Sequence, residues 1–394
     1  MRTWLFFGLI LILMTSVSWG DSVFNVRGGG TDIIPVSGAT RAMGGATLAS
    51  LNPIDCTGLN PFGSVAAEGV TLTAGIAHLR TRTDNLGERD NTIETLFPTF
   101  TAIIPLKGVA LLTGLNVEKE GRITFSSTGM AYDSTYTYSY RREVSAQSVP
   151  LYVSARLHRR VVASAGILFS FLDIRETHRM DFASEDRTGT NDAIDLSASG
   201  RAFGGGLLVD LGPLRVAGTY RSKMDLDGSV ERDSRYAGVW QTKDLGFACE
   251  ESYGLGARIA PHPHFALEVD YQKSPWSKIR LDDRSIAGHA VYRWSVGMEY
   301  SGKLLWNAAK FPVMAGYHRQ PLDWDDPMTG QITEQVFSVG TSIELAEGSA
   351  AVAVSLELGR RETEELSDLN ETFYGLTISV SAIEAWRREV RSSP

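Results

Sequence analysis

The sequence predicts an all-β protein, a 14-stranded antiparallel transmembrane β-barrel with an N-terminal plug. Three observations carry that expectation. From about Gly69 onward the chain repeats one device, a run of alternating apolar and polar residues closed by a turn. The connections between runs alternate between short and long. The chain also opens on an export signal, and no later window offers the ~18 uninterrupted apolar residues of a membrane helix.

Taken in order, Met1-Arg2-Thr3 and the apolar stretch Trp4 to Met14 form a secretory signal over 1–20, with small Ser18 and Gly20 ahead of a cut before Asp21. No Cys follows the cut, which argues against a lipid anchor. Residues 21–66 differ in kind from the rest. They hold Arg27-Gly28-Gly29-Gly30, a small-residue segment interrupted at Gly44-Gly45, and two turn-forming pairs, Asn52-Pro53 and Asn60-Pro61. Small residues allow close packing inside something else, so this segment is expected to plug a barrel spanning 67–382. A charged tail, 383–394, follows.

The strands are expected near 69–83, 93–106, 108–123, 136–157, 160–178, 195–211, 214–225, 245–260, 264–273, 288–301, 309–319, 331–345, 350–361 and 370–382. In Phe265 to Gln272 the period of two is plain: Phe265, Leu267, Val269 and Tyr271 share one face, Glu268, Asp270 and Gln272 the other. Leu106-Lys107-Gly108, Gly212-Pro213 and Ala346 to Ser349 are tight turns, whereas 179–194, 225–243 and 320–330 are long and polar. That asymmetry puts the short turns on the periplasmic side. A soluble β-sandwich also alternates. The even strand count, the leader and aromatics near strand ends, such as Tyr292, Trp294 and Tyr300, favour the barrel. Pro98 and Pro105 each remove a ladder donor from the second strand and mark either a bend, where the wall opens sideways, or ordinary strand ends.

A net charge of −8 argues against a non-specific nucleic-acid binder. The two cysteines, Cys56 and Cys249, fit an oxidising compartment, and sequence leaves their pairing open. No Gly-x-Ser-x-Gly, His-Glu-x-x-His or P-loop element occurs, so neither enzymatic activity nor a cofactor is expected. His178 near Asp181 and Ser184 is a weak hydrolase candidate. His262 and His264 read as turn residues rather than metal ligands, and Asp323, Asp325 and Asp326 as a solvated acidic loop.

Arg41-Ala42-Met43-Gly44-Gly45-Ala46 followed by Asn60-Pro61-Phe62-Gly63 resembles the hatch of the FadL-type outer-membrane transporters of long-chain fatty acids and aromatic hydrocarbons. Phe97 to Pro105, Gly218-Thr219-Tyr220-Arg221-Ser222-Lys223, Tyr271 to Lys278 and Ala315 to Pro321 resemble later strands of that family in the same order. The resemblance implies a plugged barrel for passive uptake of a hydrophobic small molecule, set in outer-membrane lipid and lipopolysaccharide after insertion by the barrel-assembly machinery. Arg41, Gly44, Gly45, Asn60 and Pro61 would then belong to the plug and its gate. By alternation Arg156, Arg258 and Arg293 face the lumen, where each is suited to a ligand carboxylate or to neutralising Glu268, Asp270 and Glu299. The alternative function is a secretion accessory or docking scaffold that uses the long loops and the charged tail.

Overall fold

The computed structural model describes residues 30–384 apart from 86–87, 132–133, 185–187, 236–237, 275, 277–278, 282–283, 286–289, 302–310, 327–329, 346–348 and 364–368. The expected leader, 1–20, and residues 385–394 of the expected tail lie outside the described residues. The last strand runs through Glu384, so Ile383 and Glu384 are barrel rather than tail.

The wall is built of β1 (Val70–Asn85), β2 in two pieces (Glu88–Leu96 and Thr99–Leu106), β3 (Val109–Ala131), β4 (Ser134–His158), β5 (Val161–Phe182) and β6 (Thr190–Asp210). It continues with β7 (Leu214–Arg221 and Met224–Ser234), β8 (Gly238–Cys249 and Ser252–His262), β9 (Phe265–Lys273) and β10 (Tyr292–Tyr300). It ends with β11 (Val313–Asp326), β12 (Gly330–Leu345), β13 (Ala350–Thr363) and β14 (Leu369–Glu384). Every neighbour pair is antiparallel, and β14 closes the ring on β1 from Val70↔Glu384 to Asn85↔Leu369. All fourteen expected strands are present, most of them longer than the alternation implied. Strands β3 to β6 reach 23, 25, 22 and 21 residues. About 9–11 residues suffice to cross a bilayer. Their upper halves therefore project beyond it on the long-loop side.

The two faces settle the choice between barrel and soluble sandwich. Phe337, Leu356 and Trp294 are 60%, 56% and 56% exposed, whereas Glu268, Ser355 and Thr377 are each 0% exposed. A sandwich buries its apolar face; here that face is outermost and the polar one is enclosed, as lipid demands. Rings cluster at the upper edge of the band, where Tyr271 stacks on Tyr292 at 5.7 Å and tilts against Trp294 at 4.5 Å.

Three apolar clusters hold residues 30–69 within the ring. Ala39, Ala42 and Met43 pack on Met314 and Ala353. Leu48, Ala49 and Phe62 pack on Val162, Leu208 and Ala217. Cys56 packs among Ile103, Leu112, Tyr152 and Leu168. Cys249 lies in a separate upper cluster with Phe247 and Trp276, and both cysteines are free thiols.

Candidate functional site

Around α1 and the turn after it, the enclosed segment is tied to the wall on two sides. On one side α1 (Gly38–Ala42) starts at Ser37, whose Oγ accepts the Thr40 N–H, and its Gly38 N–H donates to Ser379 Oγ at 2.9 Å. Arg41 pairs with buried Glu357 at 3.1 Å, and the Gly44 N–H donates to Ser338 Oγ at 3.1 Å. Gly44 sits at φ +67°, and a Cβ there would stand 2.6 Å from the Tyr317 backbone, so glycine is required twice over. On the other side the Thr47 and Leu48 N–H groups donate to Asp270 Oδ2 at 2.7 and 3.0 Å, and the Ala49 N–H to Glu268 Oε1 at 2.8 Å.

Asn60 and Pro61 brace the turn between these anchors. Asn60 Nδ2 donates to the carbonyls of Thr47 and Ser50 at 2.6 and 3.2 Å, and the Pro61 carbonyl accepts from Ser154 Oγ of β4 at 3.0 Å. Asn60 is 1% exposed and its side chain satisfies backbone that no regular element serves.

The wall itself has a seam. The upper piece of β2, Glu88–Leu96, pairs with β1, while β3 above Asn116 pairs with β4; among the described residues no pairing joins that piece of β2 to β3. The break falls at Phe97-Pro98, where proline donates nothing, and a bulge in β3 between Val117 and Lys119 widens it. Pro105, opposite Ala110 beside the turn, is an ordinary strand end. The exposed edge of β3 is covered by Thr31–Asp32, which pair with Glu120 and Lys119, by an Ile33 N–H to Glu118 carbonyl bond of 2.9 Å, and by the Lys119–Asp32 ion pair of 3.1 Å. Behind it Ile33 packs on Ala77, Leu96 and Val117.

Glu118 keeps the inward face of Ala110, Leu112 and Asn116, and the bulge puts Lys119 on that face as well. There Glu118 pairs with Arg221 at 3.0 Å, accepts from Ser148 Oγ at 2.5 Å and accepts from the Trp276 Nε1–H. Around this cluster lie three small cavities of about 40, 50 and 60 Å³. The first borders Leu48, Tyr152, Leu168 and Arg221; the second Trp276, Val291 and Arg293; the third, behind the seam, Leu79, Leu96 and Phe373. None approaches the ~150 Å³ that holds a benzene ring. Above these cavities, on the inner face of β3 to β5, Phe125 and Tyr140 lie 5.2 Å apart and Tyr138 donates to or accepts from His178 Nδ1 at 2.8 Å, lining the outer mouth with rings.

The three arginines expected in the lumen do not form one site. Arg258 is committed to Glu268 at 3.0 Å and Glu299 at 2.6 Å, the neutralising role. Arg156 stands exposed at the short-turn rim, opposite Val162. Arg293 lines the middle cavity, donates to Gln272, and its buried Nε has no hydrogen-bond partner among the described residues. Glu118, Trp276 and Ile33 were not foreseen as site residues. His178 bonds the Tyr138 hydroxyl at 2.8 Å and lies 3.8 Å from Glu176, so its neighbours are not the Asp181 or Ser184 expected from sequence, and among the described residues no group of three or more potential metal ligands occurs.

No family model matches the sequence, and no curated protein matches it. Solved structures do. The chain superposes on a Pseudomonas aeruginosa FadL homologue with TM-score 0.61 at 11% identity, covering 90% of this chain and 99% of that one. The CymD monoaromatic hydrocarbon channel gives 0.56 at 14% identity, with 91% and 98% covered. The Ralstonia pickettii toluene transporter TbuX gives 0.56 at 15% identity, with 92% and 100% covered. At such identities the likeness is one of fold.

Proposed function

We infer that this chain, which has the fold of the FadL-type barrels, is an outer-membrane channel for passive uptake of hydrophobic small molecules, and that residues 30–69 are its plug. The solved neighbours named as hydrocarbon channels and a toluene transporter support the substrate class. The single observation that carries the mechanism is the seam. It opens at the level of Gly75 to Ala77, where the outward residues are still apolar, and among the described residues the Thr31–Asp32 pairing and the Ile33 N–H bond are the main-chain contacts that close it. A conduit through the barrel axis would need the whole plug to leave. Among the described residues, a sideways exit needs the short stretch around Thr31 to Ile33 to move, and an apolar solute gains by stepping from there into lipid. Arg293, which lines the middle cavity and whose buried Nε has no hydrogen-bond partner among the described residues, is the residue that would orient a ligand's polar end.

Pairing Thr31→Cys with Glu120→Cys tests this, because the two positions are direct cross-strand partners within disulfide reach. The oxidised barrel, reconstituted in vesicles, is expected to lose uptake of a radiolabelled alkylbenzene and to regain it on reduction. A control bridge between Thr333→Cys and Glu362→Cys, in β12 and β13, should change nothing. Uptake that persists in the oxidised seam variant rejects the sideways exit; absence of uptake in every form, wild type included, rejects transport and favours a scaffold role.

A further inference from the structure

The cavities that touch Tyr152 and Trp276 share four lining residues: Leu59, Glu118, Gln272 and Lys273. Three of the four are fixed. Glu118 is held by Arg221, Ser148 and Trp276, Lys273 by Glu250 at 2.9 Å, and Gln272 by Arg293. Leu59 differs. It comes from the turn between two short 3₁₀ segments, Pro53–Asp55 and Phe62–Ala66, and its backbone N–H donates to Thr57 Oγ1 at 3.1 Å. Its apolar side chain makes no bond that must break when it swings.

The turn that carries it is pressed against the wall, since a Cβ on Gly58 would stand 2.8 Å from Asn116 Nδ2. Leu59 is therefore presented inward from a firm base, as a finger between two spaces. On one side is Arg293, whose Nε has no hydrogen-bond partner among the described residues; on the other are Leu48, Tyr152 and Leu168.

We propose that Leu59 is the specificity-determining septum of the lumen: its side chain divides one elongated site into two, so that its size sets the length of hydrophobic ligand the barrel accepts. The proposal rests on the uptake function inferred above and adds to it the residue that selects by length. A ligand whose ring lies beside Arg293 must pass position 59 to place its tail among Leu48, Tyr152 and Leu168. Short ligands need not.

The test uses the full chain and a graded series, toluene, butylbenzene and octylbenzene, each displacing a fluorescent hydrophobic probe from wild type, Leu59→Ala, Leu59→Phe and Leu59→Met. Each methylene newly accommodated adds about fourfold to affinity. Leu59→Ala should thus bind octylbenzene at least about tenfold more tightly with toluene changed less than about twofold, and Leu59→Phe should do the reverse. Leu59→Met, of similar volume, should behave as wild type. Equal shifts for all three ligands, or none, overturn the proposal. A readout independent of transport is xenon in crystals of Leu59→Ala: density bridging position 59 is expected there and not in wild type, and separate sites on either side overturn the proposal even if no alkylbenzene binds.

Discussion

Asp55 is the titratable residue whose environment makes the plug sensitive to pH. It is 7% exposed, accepts from Ser50 Oγ at 2.9 Å and from Thr40 Oγ1 at 3.3 Å, and is faced by Arg258 of β8, Glu299 of β10 and Glu268 of β9. Burial pushes its carboxyl up from 3.8 to about 6; the Ser50 bond and Arg258 pull it partly back, and the two glutamates push with burial. A raised carboxyl means that the docked plug binds a proton the released plug does not. The resulting stability is full below about pH 4 and is lost as pH rises through about 6, with an upper limit of about 3 kcal/mol. Hydrogen exchange of plug amides over 38–66, corrected for intrinsic rates, should show protection falling between pH 4 and 7 in wild type and staying level in Asp55→Asn. The same fall in both proteins would assign the effect elsewhere. Single residues were also where sequence said least. Period two told which side Arg258, Arg156 and Arg293 face, and nothing about height or cross-barrel neighbours, so one proved to be an ion-pair partner, one a rim residue and one a lining residue.

At the scale of elements, α1 and the turn after it depend on bare backbone in the wall. A Cβ on Gly316 of β11 would fall 2.1 Å from both Gly44 N and the Met43 carbonyl carbon, and one on Gly340 of β12 would fall 2.7 Å from Ala42 Cβ. Gly316→Ala should consequently dislodge the end of α1 without unfolding β11, because Ala is tolerated in a strand. The Arg41–Glu357 pair would be broken with it, and a buried charge left without its partner costs about 3–5 kcal/mol. The expected outcome is a leaky barrel: raised single-channel conductance and antibiotic sensitivity, with the heat-shifted gel band of the folded barrel unchanged. Conductance equal to wild type would show that α1 accommodates the methyl group. Strand existence was legible because each strand repeats its own signal; the break at Pro98 was half legible, as a lost donor. The β3 bulge was not, because it places the consecutive residues Glu118 and Lys119 on one face, which no alternation predicts. The Thr31–Asp32 pairing was invisible for a related reason: two residues carry no period.

For the whole molecule, the position of the membrane follows from where the outer surface changes character. On β10 the outward residues Trp294, Val296, Met298 and Tyr300 are 56%, 40%, 48% and 41% exposed, a greasy column ended by aromatics. Val296 lies at its middle, beside outward Val269 and Tyr317. High on β3 the outward surface is instead mostly polar: exposed Ser126 faces Ser139 across the pair, well above Leu115 and below the exposed Met130 near the strand's tip. An arginine should register the difference. Val296→Arg buries a charge near mid-bilayer and should cost about 2–4 kcal/mol of folding free energy in lipid. Ser126→Arg adds a charge where water already is and should change stability by less than about 0.5 kcal/mol. Reversible urea unfolding in phospholipid vesicles, followed by tryptophan fluorescence, measures both. Equal costs would mean that the apolar band is not the lipid-facing zone, and with it would fall the placement of the seam beside the hydrocarbon on which sideways release depends.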